Sequence, residues 1–570
     1  MKKSLLKIVA LSIIQFAFLC KLVSQQNQDD AWWKHTTIYQ IYPRSFMDSN
    51  GDGIGDIQGI ISKLDYIRHL GFETIWISPF FSSPQHDFGY DVSDYYSVDS
   101  VYGNLQDVEQ LIAEIHQRKM YVVFDLVLNH TSDQHPWFKA SVGKKDHKED
   151  WYIWKKGKKK RRPNNWKSLT GPKGWHYNET RKEWYWSSFL PFQPDLNWRS
   201  PDVKKEMFNM VRFWLNRGVD GFRLDIFNVI YEVNDFRNNP LKLNPFPNDN
   251  NPSAGFQKLK YSMNQPDNYQ LAKELRELID EYEHPKRFII GEVFGRHEEI
   301  KNFLGTQNDG LNLIFLFDMK RFKFSAKFFR GQLNKYENYY HKPYVPVYVY
   351  SNHDDRRSMS RVDGSVEKAK LLAMFQLMAR GVAVTYQGEE IGMTDTQIQR
   401  KSAKDPLAQI YKLPQFIVDK LPLLINRDEC RTPMQWDTSP NAGFSTSDVN
   451  TWLPVNNNFY YVNVSTALKD SNSLIYSYKK LLELRKELKS LKYGDIEVIN
   501  EPWLPKKVLG FKRKFGLEET LILLNFSKKV HAFTIPKDFS KIIFNTDTEL
   551  QNQTSFNKIH PYQGIVFIKN

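Results

Sequence analysis

The stretch Gly221-Phe222-Arg223-Leu224-Asp225 is a short, mostly apolar run that ends in a carboxylate. Two later stretches, Phe288-Ile289-Ile290-Gly291-Glu292 and Tyr350-Ser351-Asn352-His353-Asp354, also end in an acid. Short runs rich in β-branched and aromatic residues predict strands. Three acids at three strand ends can meet on one edge of a parallel sheet, so these stretches carry information on both fold and site.

Eight such runs alternate with amphipathic patterns along the chain. The predicted strands are Thr37–Tyr42, Thr74–Ile77, Tyr121–Leu126, Gly221–Leu224, Phe288–Val293, Leu311–Phe317, Val345–Tyr350 and Val382–Tyr386. The predicted helices between them include Ile57–Leu70, Leu105–Arg118, Val203–Arg217 and Leu271–Glu281. This alternation predicts an α/β fold, a (β/α)8 barrel of the TIM type. An open doubly wound sheet is the alternative, but no Gly-rich phosphate loop follows any of these strands.

Two connections on the same side of the predicted barrel are long. Residues 131–198 follow the third strand, are rich in Trp, Tyr, Lys and Asn, show no clean helix, and predict an inserted domain. Residues 235–255, rich in Asn and Pro, form a further loop after the fourth strand. The barrel then comprises residues 31–130 and 199–490. From residue 491 short strand patterns with turns predict an all-β C-terminal domain, with strands at Ile496–Ile499, Val508–Arg513, Leu521–Asn525 and Gly564–Ile568.

The N-terminus has the pattern of an export signal. Two lysines follow Met1, residues 5–19 are mostly apolar, and polar residues resume at Ser24. We expect residues 1–24 to be a signal peptide that is removed, which makes the protein secreted and leaves no stable membrane span. An uncleaved anchor is the alternative, but the apolar run is short and contains Lys7. After processing only Cys430 of the two cysteines would remain, so no intramolecular disulfide is expected.

Charge and composition limit the functional classes. The chain has 570 residues, is 41% hydrophobic and 15% aromatic, and carries a formal net charge of +14, which excludes a disordered or fibrous protein. A positive balance is compatible with nucleic-acid binding. Much of it lies in the leader and in one run, residues 155–162, which we interpret as a solvated loop. We therefore expect no nucleic-acid partner.

The three strand-end acids suit one kind of reaction. Asp225, Glu292 and Asp354 follow the fourth, fifth and seventh predicted strands. An acid in such a place can simply cap the next helix, but three that converge are harder to explain as caps. Paired carboxylates cleave glycosidic bonds, one attacking the sugar and one protonating the leaving oxygen. Arg223 lies on the same side of its strand as Asp225 and would keep it ionised.

These motifs resemble those of the α-amylase superfamily of retaining glycosidases, in its α-glucosidase and oligo-1,6-glucosidase branch. The resemblance runs from about residue 32 into the C-terminal domain. Besides the three acid-ending stretches, it rests on Asp125-Leu126-Val127-Leu128-Asn129-His130, Gln193-Pro194-Asp195-Leu196-Asn197, Tyr386-Gln387-Gly388-Glu389-Glu390 and Arg431-Thr432-Pro433-Met434-Gln435-Trp436. It implies a barrel with an inserted domain and a C-terminal β-sandwich.

The resemblance also implies roles for individual residues. Asp225 corresponds to the nucleophile, Glu292 to the general acid and base, and Asp354 to the acid that holds the sugar hydroxyls. Residues that correspond to the walls of the sugar pocket are Asp87, Tyr90, His130, Phe189, Arg223, His353 and Arg357. Of these, Asp87 and Arg357 are expected to close the pocket around the non-reducing end of the substrate.

A second site is expected near the first strand. Residues 48–56 place oxygen-bearing side chains at alternate positions with glycines between them, as hard cations require. An ordinary Asp/Gly turn is the alternative. The segment resembles the calcium loop of this glucosidase branch, which implies a structural Ca²⁺ held by Asp48, Asn50, Asp52, Asp56 and the carbonyl of Ile54.

Together these observations predict a retaining, exo-acting α-glucosidase that releases terminal glucose from small α-glucosides such as maltose. A sucrose-preferring hydrolase, a transglucosidase or isomerase, and a non-catalytic relative such as a transporter heavy chain are the alternatives. Residues 226–229 lack the Lys and His that endo-acting amylases usually carry there, and Ile226 is closer to the Val of α-1,6-cleaving relatives than to the Ala or Thr of α-1,4-cleaving ones. Asp355 and Arg356 stand where relatives in this family often have other residues, and the sequence does not explain this difference.

Overall fold

The computed structural model describes residues 31–171, 173–243, 248–410, 425–547 and 557–569. The predicted signal peptide, residues 1–24, lies outside the described residues, and so does part of the loop at 235–255. Within the described ranges, no helix has both the length and the apolar character needed to cross a membrane. The thiol of Cys430 is free and buried.

Eight parallel strands form the predicted barrel, which confirms the fold class. They are β1 (Thr37–Ile41), β2 (Thr74–Ile77), β3 (Tyr121–Leu126), β4 (Gly221–Leu224), β5 (Phe288–Gly291), β6 (Leu313–Ile314), β7 (Val347–Val349) and β8 (Val382–Tyr386). Successive strands pair from β1 to β6, and β1 also pairs with β8, which pairs with β7. A parallel bridge between Leu316 and Tyr348 joins β6 to β7 and closes the ring.

The barrel strands are buried on both faces because helices cover the outside. Those associated with the barrel are Ile57–Ser62, Leu64–Leu70, Leu105–Gln117, Pro201–Leu215, Pro266–Asp280, His297–Ile300, Ala326–Tyr340, Val366–Met378, Pro406–Ile410, Val464–Ala467, Leu474–Glu487 and Lys489–Tyr493. Their starts follow from local sequence. Asn104 forms a capping box with Asp107, and Ser325 accepts the N–H of Phe328.

Several elements differ from their predicted bounds. The helix expected over residues 57–70 is two helices, because the chain leaves helical geometry at Lys63, whose N–H donates to the carbonyls of both Ile60 and Ile61. The strand expected at 311–317 is only Leu313–Ile314, since the chain turns into a 3₁₀ helix at Phe317–Arg321. Propensity did not show that the strand ends so early, because the residues beyond it are equally apolar.

The segment 131–198 contains a small sheet of three antiparallel strands, Trp154–Lys156, Trp175–Asn178 and Glu183–Trp186. It also contains one helix, Pro136–Gly143, where the sequence showed none. That helix is short, but its start has a recognisable signal. Pro136 occupies the first helical position, and the ring of His135 accepts the N–H of Trp137.

The C-terminal part is antiparallel, as predicted. Its main sheet comprises β9 (Asp495–Val498), β10 (Val508–Phe515), β11 (Glu518–Asn525), β12 (Lys541–Asn545) and β13 (Gly564–Ile568), in the order β9-β10-β11-β13-β12. A second pair of strands, His531–Ala532 and Lys558–Ile559, packs against it through a buried cluster that includes Leu523, Phe533 and Ile565. The two layers form a β-sandwich.

Candidate active site

The three strand-end acids line one cavity at the carboxyl ends of the barrel strands. Asp225 directly follows β4, Glu292 directly follows β5, and Asp354 lies in the loop after β7. All three face a cavity of about 260 Å³. A parallel barrel directs the ends of its strands to one face, so acids that are distant in the chain converge there.

Arg223 organises the acids. It points inward from β4, is 1% exposed, and its Nη1 lies 2.8 Å from Oδ1 of both Asp125 and Asp225. Its Nη2 donates to Oε2 of Glu292. One guanidinium therefore holds Asp225 and Glu292 through adjacent nitrogens, which favours the short carboxylate spacing of about 5–5.5 Å that retaining glycosidases use. Asp125, which the sequence placed in a motif without a role, is the third carboxylate on this guanidinium.

The protonation of this pair follows from its burial. Asp225 and Glu292 are 7% and 4% exposed. Burial raises the pKa of both carboxyl groups above the ordinary carboxyl range. Arg223 opposes that shift, and the charge of nearby Asp354 adds to it. The pair can therefore keep a proton at a pH where isolated carboxyl groups are ionised, as a combination of one acid and one nucleophile requires.

Asp354 has the opposite electrostatic character. Its Oδ1 accepts from Arg431 at 2.7 Å and from Arg427 at 3.2 Å, and its Oδ2 lies 3.2 Å from Nε2 of His353. Burial disfavours its charge and also lowers the pKa of the adjacent His353, which is therefore neutral, but the charges of Arg427 and Arg431 outweigh the burial of Asp354 and hold its pKa well below the ordinary range. Asp354 therefore stays ionised and can accept hydrogen bonds from sugar hydroxyls.

A salt bridge that the sequence analysis missed forms part of the cavity wall. Nη2 of Arg427 lies 2.6 Å from Asp87 and 2.8 Å from buried Asp405, and Gln193 donates to the other oxygen of Asp87 at 3.1 Å. Asp87, Gln193 and Arg427 all line the cavity. The available signal was proximity, since Arg427 stands just ahead of the matched motif at residues 431–436.

The predicted aromatic and imidazole residues lie around the acids. Tyr90 and His353 stack with ring centres 5.3 Å apart, and the Tyr90 hydroxyl lies 2.6 Å from Nε2 of His353. Nε2 of His130 lies 3.0 Å from the carbonyl oxygen of Tyr90, and burial lowers the pKa of this ring to about 4, so it is neutral. Phe189 packs against His130, and Tyr90, His130 and Phe189 line the cavity.

The structure does not bring Arg357 into the cavity wall as the resemblance implied. Arg357 is fully buried and does not line the cavity. Its Nη1 donates to the carbonyl of Gln387 at 2.8 Å, and its guanidinium lies over the ring of Tyr386. These contacts fix the turn after β8. Arg427 occupies the position beside Asp87 that the resemblance had implied for Arg357.

The residue after Asp225 has an unusual backbone. Ile226 has φ 22° and ψ 61° and lines the cavity. Positive φ is costly for a β-branched residue, because its branched Cβ crowds the backbone. The N–H of Asp225 donates to the carbonyl of Leu126, and that of Phe227 to the carbonyl of Glu292, so the segment is tied down on both sides of Ile226. The turn thereby keeps the Asp225 side chain directed into the cavity.

The loop predicted to bind calcium is ordered by its own hydrogen bonds. Asp48 accepts backbone N–H groups from Gly51 and Gly53, and Asp56 accepts those of Ser49 and Gly59. In the described part of the chain, no group of three or more His, Cys, Asp or Glu side chains is placed to hold a metal ion. The oxygen donors of this loop are nevertheless of the chemical kind that Ca²⁺ prefers.

Comparison with known proteins agrees with this geometry. The α-amylase catalytic domain matches residues 40–494. An oligo-1,6-glucosidase of Parageobacillus thermoglucosidasius is 36% identical over 575 residues, covering 94% of this chain and 98% of that protein. An α-glucosidase of Apis mellifera is 35% identical over 557 residues, covering 96% of this chain and 94% of that protein. The crystal structure of an α-glucosyl transfer enzyme, XgtA, is similar with a TM-score of 0.84 and 33% identity, covering 95% of this chain and 99% of that one.

Proposed function

The chain belongs to the α-amylase family of glycoside hydrolases, and from this we propose that it is an exo-acting α-glucosidase that works with retention of configuration. The observation that carries the proposal is the shared guanidinium of Arg223, which holds Asp225 and Glu292 side by side in one buried cavity. Hydrolysis by double displacement requires two such carboxyl groups, an ionised one as nucleophile and a protonated one as general acid.

The reaction assigns one task to each acid. Asp225 attacks C1 of the terminal glucose while Glu292 transfers its proton to the leaving oxygen, and the C1–O bond breaks. Water then attacks C1 of the glucosyl-enzyme, Glu292 takes the proton from that water, and Asp225 departs. Each displacement inverts C1, so the product is α-glucose. Asp354 accepts hydrogen bonds from the ring hydroxyls and remains charged throughout.

We infer exo-action from the wall around Asp87, which we take to be the closed end of the cavity. The Asp87–Arg427 salt bridge and Gln193 form a polar wall that can hold the hydroxyls of a single non-reducing glucose. A chain that continued past that glucose would meet this wall. Small glucosides such as maltose and isomaltose are therefore the expected substrates, and long glucans such as starch are expected to be poor ones.

A transglucosidase is the second candidate, because the similar structure XgtA is described as an α-glucosyl transfer enzyme. Hydrolysis and transfer share the glucosyl-enzyme and differ only in the acceptor. One assay separates them. Purified protein is incubated with maltose, isomaltose, sucrose and trehalose, and products are followed by NMR from the first turnover. Free α-glucose from a disaccharide supports the hydrolase, initial β-glucose would contradict retention, and new oligosaccharides at low substrate would favour the transferase.

Two further proposals concern the setting of the enzyme. The oxygen donors of residues 48–56 support a structural Ca²⁺ held by Asp48, Asn50, Asp52, Asp56 and the Ile54 carbonyl, away from the reacting groups. The leader pattern of residues 1–24 supports secretion. Metal analysis of purified protein and N-terminal sequencing of exported protein test the two.

A further inference from the structure

The cavity wall contains charged side chains to which the proposed reaction assigns no role. Lys320, from the 3₁₀ helix after β6, lines the cavity, although its side chain is only 5% exposed. Asp249, Arg321 and Asp355 line the cavity with it. A buried ammonium is costly unless it is paired, so its place in a cavity wall calls for an explanation.

The ammonium of Lys320 is held in a defined position. Its Nζ lies 2.6 Å from Oδ2 of Asp355 and 3.8 Å from Oδ1 of Asp249, and it lies 3.7 Å from the centre of the Phe317 ring. An ammonium group has three N–H donors. In the described residues, Asp355 accepts one at short range and the ring face takes a second direction. Asp249, at 3.8 Å, attracts the ammonium but is beyond hydrogen-bond distance, so a polar group that enters the cavity can accept the third N–H.

The neighbours of Lys320 indicate which part of the substrate its ammonium group would meet. Asp354 and Asp355 are consecutive residues, but Asp354 pairs with Arg427 while Asp355 pairs with Lys320. Arg427 belongs to the closed end, where the terminal glucose is held. Lys320 instead lies near Glu292, since the positive charge of the ammonium acts to lower the pKa of that carboxyl group.

Lys320 also lies beside the continuation of β5, with its Nζ 5.9 Å from the centre of the Phe294 ring. Phe294, two residues beyond Glu292, lines the cavity and stacks on Phe317, with ring centres 5.3 Å apart. Glu292 protonates the leaving oxygen in the proposed reaction. Phe294 and Lys320 therefore line the cavity beside Glu292, each in contact with the ring of Phe317, and would face the part of the substrate that leaves.

We propose that Lys320, positioned by Asp355 and Asp249, donates a hydrogen bond to a hydroxyl of the leaving sugar and so selects sugar leaving groups over flat, apolar ones. The inference rests on the proposed α-glucosidase activity and adds a specificity residue to it. A buried N–H donor that bonds a substrate hydroxyl lowers kcat/KM for an analogue without that hydroxyl, because the donor is then left without a hydrogen-bond partner. This role also accounts for Asp355, the residue whose departure from the family pattern the sequence left unexplained.

The test compares kcat/KM for isomaltose and maltose with kcat/KM for p-nitrophenyl α-glucoside, in the parent, Lys320→Met and Lys323→Met. Lys323 is an exposed lysine close by in the chain and serves as the control. For Lys320→Met we expect the ratio of disaccharide to aryl-glucoside kcat/KM to fall about tenfold or more, because a hydrogen bond from a charged donor is lost. For Lys323→Met the ratio should stay at the parent value.

A second variant covers the case in which Lys320→Met does not fold. Asp355→Asn removes the short partner of Lys320, and its partly exposed site tolerates the change. The ratio should fall in the same direction, and the transfer of glucose from the aryl glucoside to added free glucose, relative to water, should fall as well.

Equal losses on both substrate types would overturn the proposal and leave Lys320 a structural ion pair. No change on either type would also overturn it. A parent that cleaves neither substrate type would instead refute the proposed function, a result seen before any variant is made.

Discussion

Arg427 and Asp87 lie 340 positions apart in the chain, yet Nη2 of the arginine is 2.6 Å from Oδ1 of the aspartate. The same guanidinium reaches Asp354 and Asp405, so one side chain joins the closed end of the cavity to an acid of the active site. Such a fork-shaped donor fixes several carboxylates at once, which a lysine cannot do. The shape of the cavity therefore depends on Arg427.

We predict that Arg427→Lys lowers kcat/KM for maltose and for p-nitrophenyl α-glucoside alike. The two substrates share the terminal glucose, and the loss of one or two charged hydrogen bonds corresponds to about 10- to 1,000-fold. Arg296→Lys, on the exposed end of a short helix, is the control. Retention of full activity by a folded Arg427→Lys protein would show that the closed end is not built by this residue.

The case of Arg427 shows what the sequence could and could not predict. Strand and helix patterns located the barrel and its three strand-end acids, because the carboxyl ends of all the parallel strands lie at one face of a barrel. Side chains that reach the cavity from loops have no such constraint. Arg357 fitted a motif and yet does not line the cavity, whereas Arg427 stood beside a motif and does. Lys320 depends on an early end of β6, which local propensity did not reveal.

We predict that the roles of Asp225 and Glu292 can be separated by azide. Asp225→Ala has no nucleophile, so azide should attack the aryl glucoside in a single displacement and give β-glucosyl azide. Glu292→Ala keeps the nucleophile and should give α-glucosyl azide through two displacements. NMR of the products checks both. The same anomer from both variants would show that the two roles are not divided in this way.

We predict a pH profile of kcat/KM with its alkaline limb above the ordinary carboxyl range. The acid form of Glu292 is required, so activity declines as pH rises through its pKa, which burial raises. The ionised form of Asp225 is required, so activity declines as pH falls through its pKa. Initial rates between about pH 4 and pH 9 give the profile. A decline that begins at about pH 4.5 and is complete by neutrality would mean that Glu292 is not raised.

We predict that a chelator lowers the melting temperature of the purified protein. We also predict that Asp52→Ala lowers the melting temperature when no chelator is added. A cation that binds only the folded state stabilises it by mass action. The loop lies after β1 and contacts none of the three catalytic acids, so kcat at low temperature should be preserved. Asp448→Ala, an exposed aspartate outside the loop, is the control. Unchanged metal content and melting temperature in Asp52→Ala would leave residues 48–56 as a turn only.

We predict that Ile226→Ala shifts linkage preference toward maltose. Ile226 directly follows Asp225 and lines the cavity, so we expect its branched side chain to contact the leaving sugar near the point where α-1,4 and α-1,6 linkages diverge. One pocket residue of this kind is worth about 1–3 kcal/mol, or about 10- to 200-fold in the ratio of kcat/KM values. The backbone at this position has φ 22°, which alanine tolerates better than isoleucine, so the variant should not be destabilised through its backbone. Val229→Ala, in the same apolar cluster but outside the cavity lining, is the matched control and should leave the ratio unchanged. The measurement is kcat/KM on maltose and on isomaltose for the parent, Ile226→Ala and Val229→Ala. If the ratio of maltose to isomaltose does not rise in Ile226→Ala, or rises equally in Val229→Ala, linkage selection belongs to other residues of the cavity.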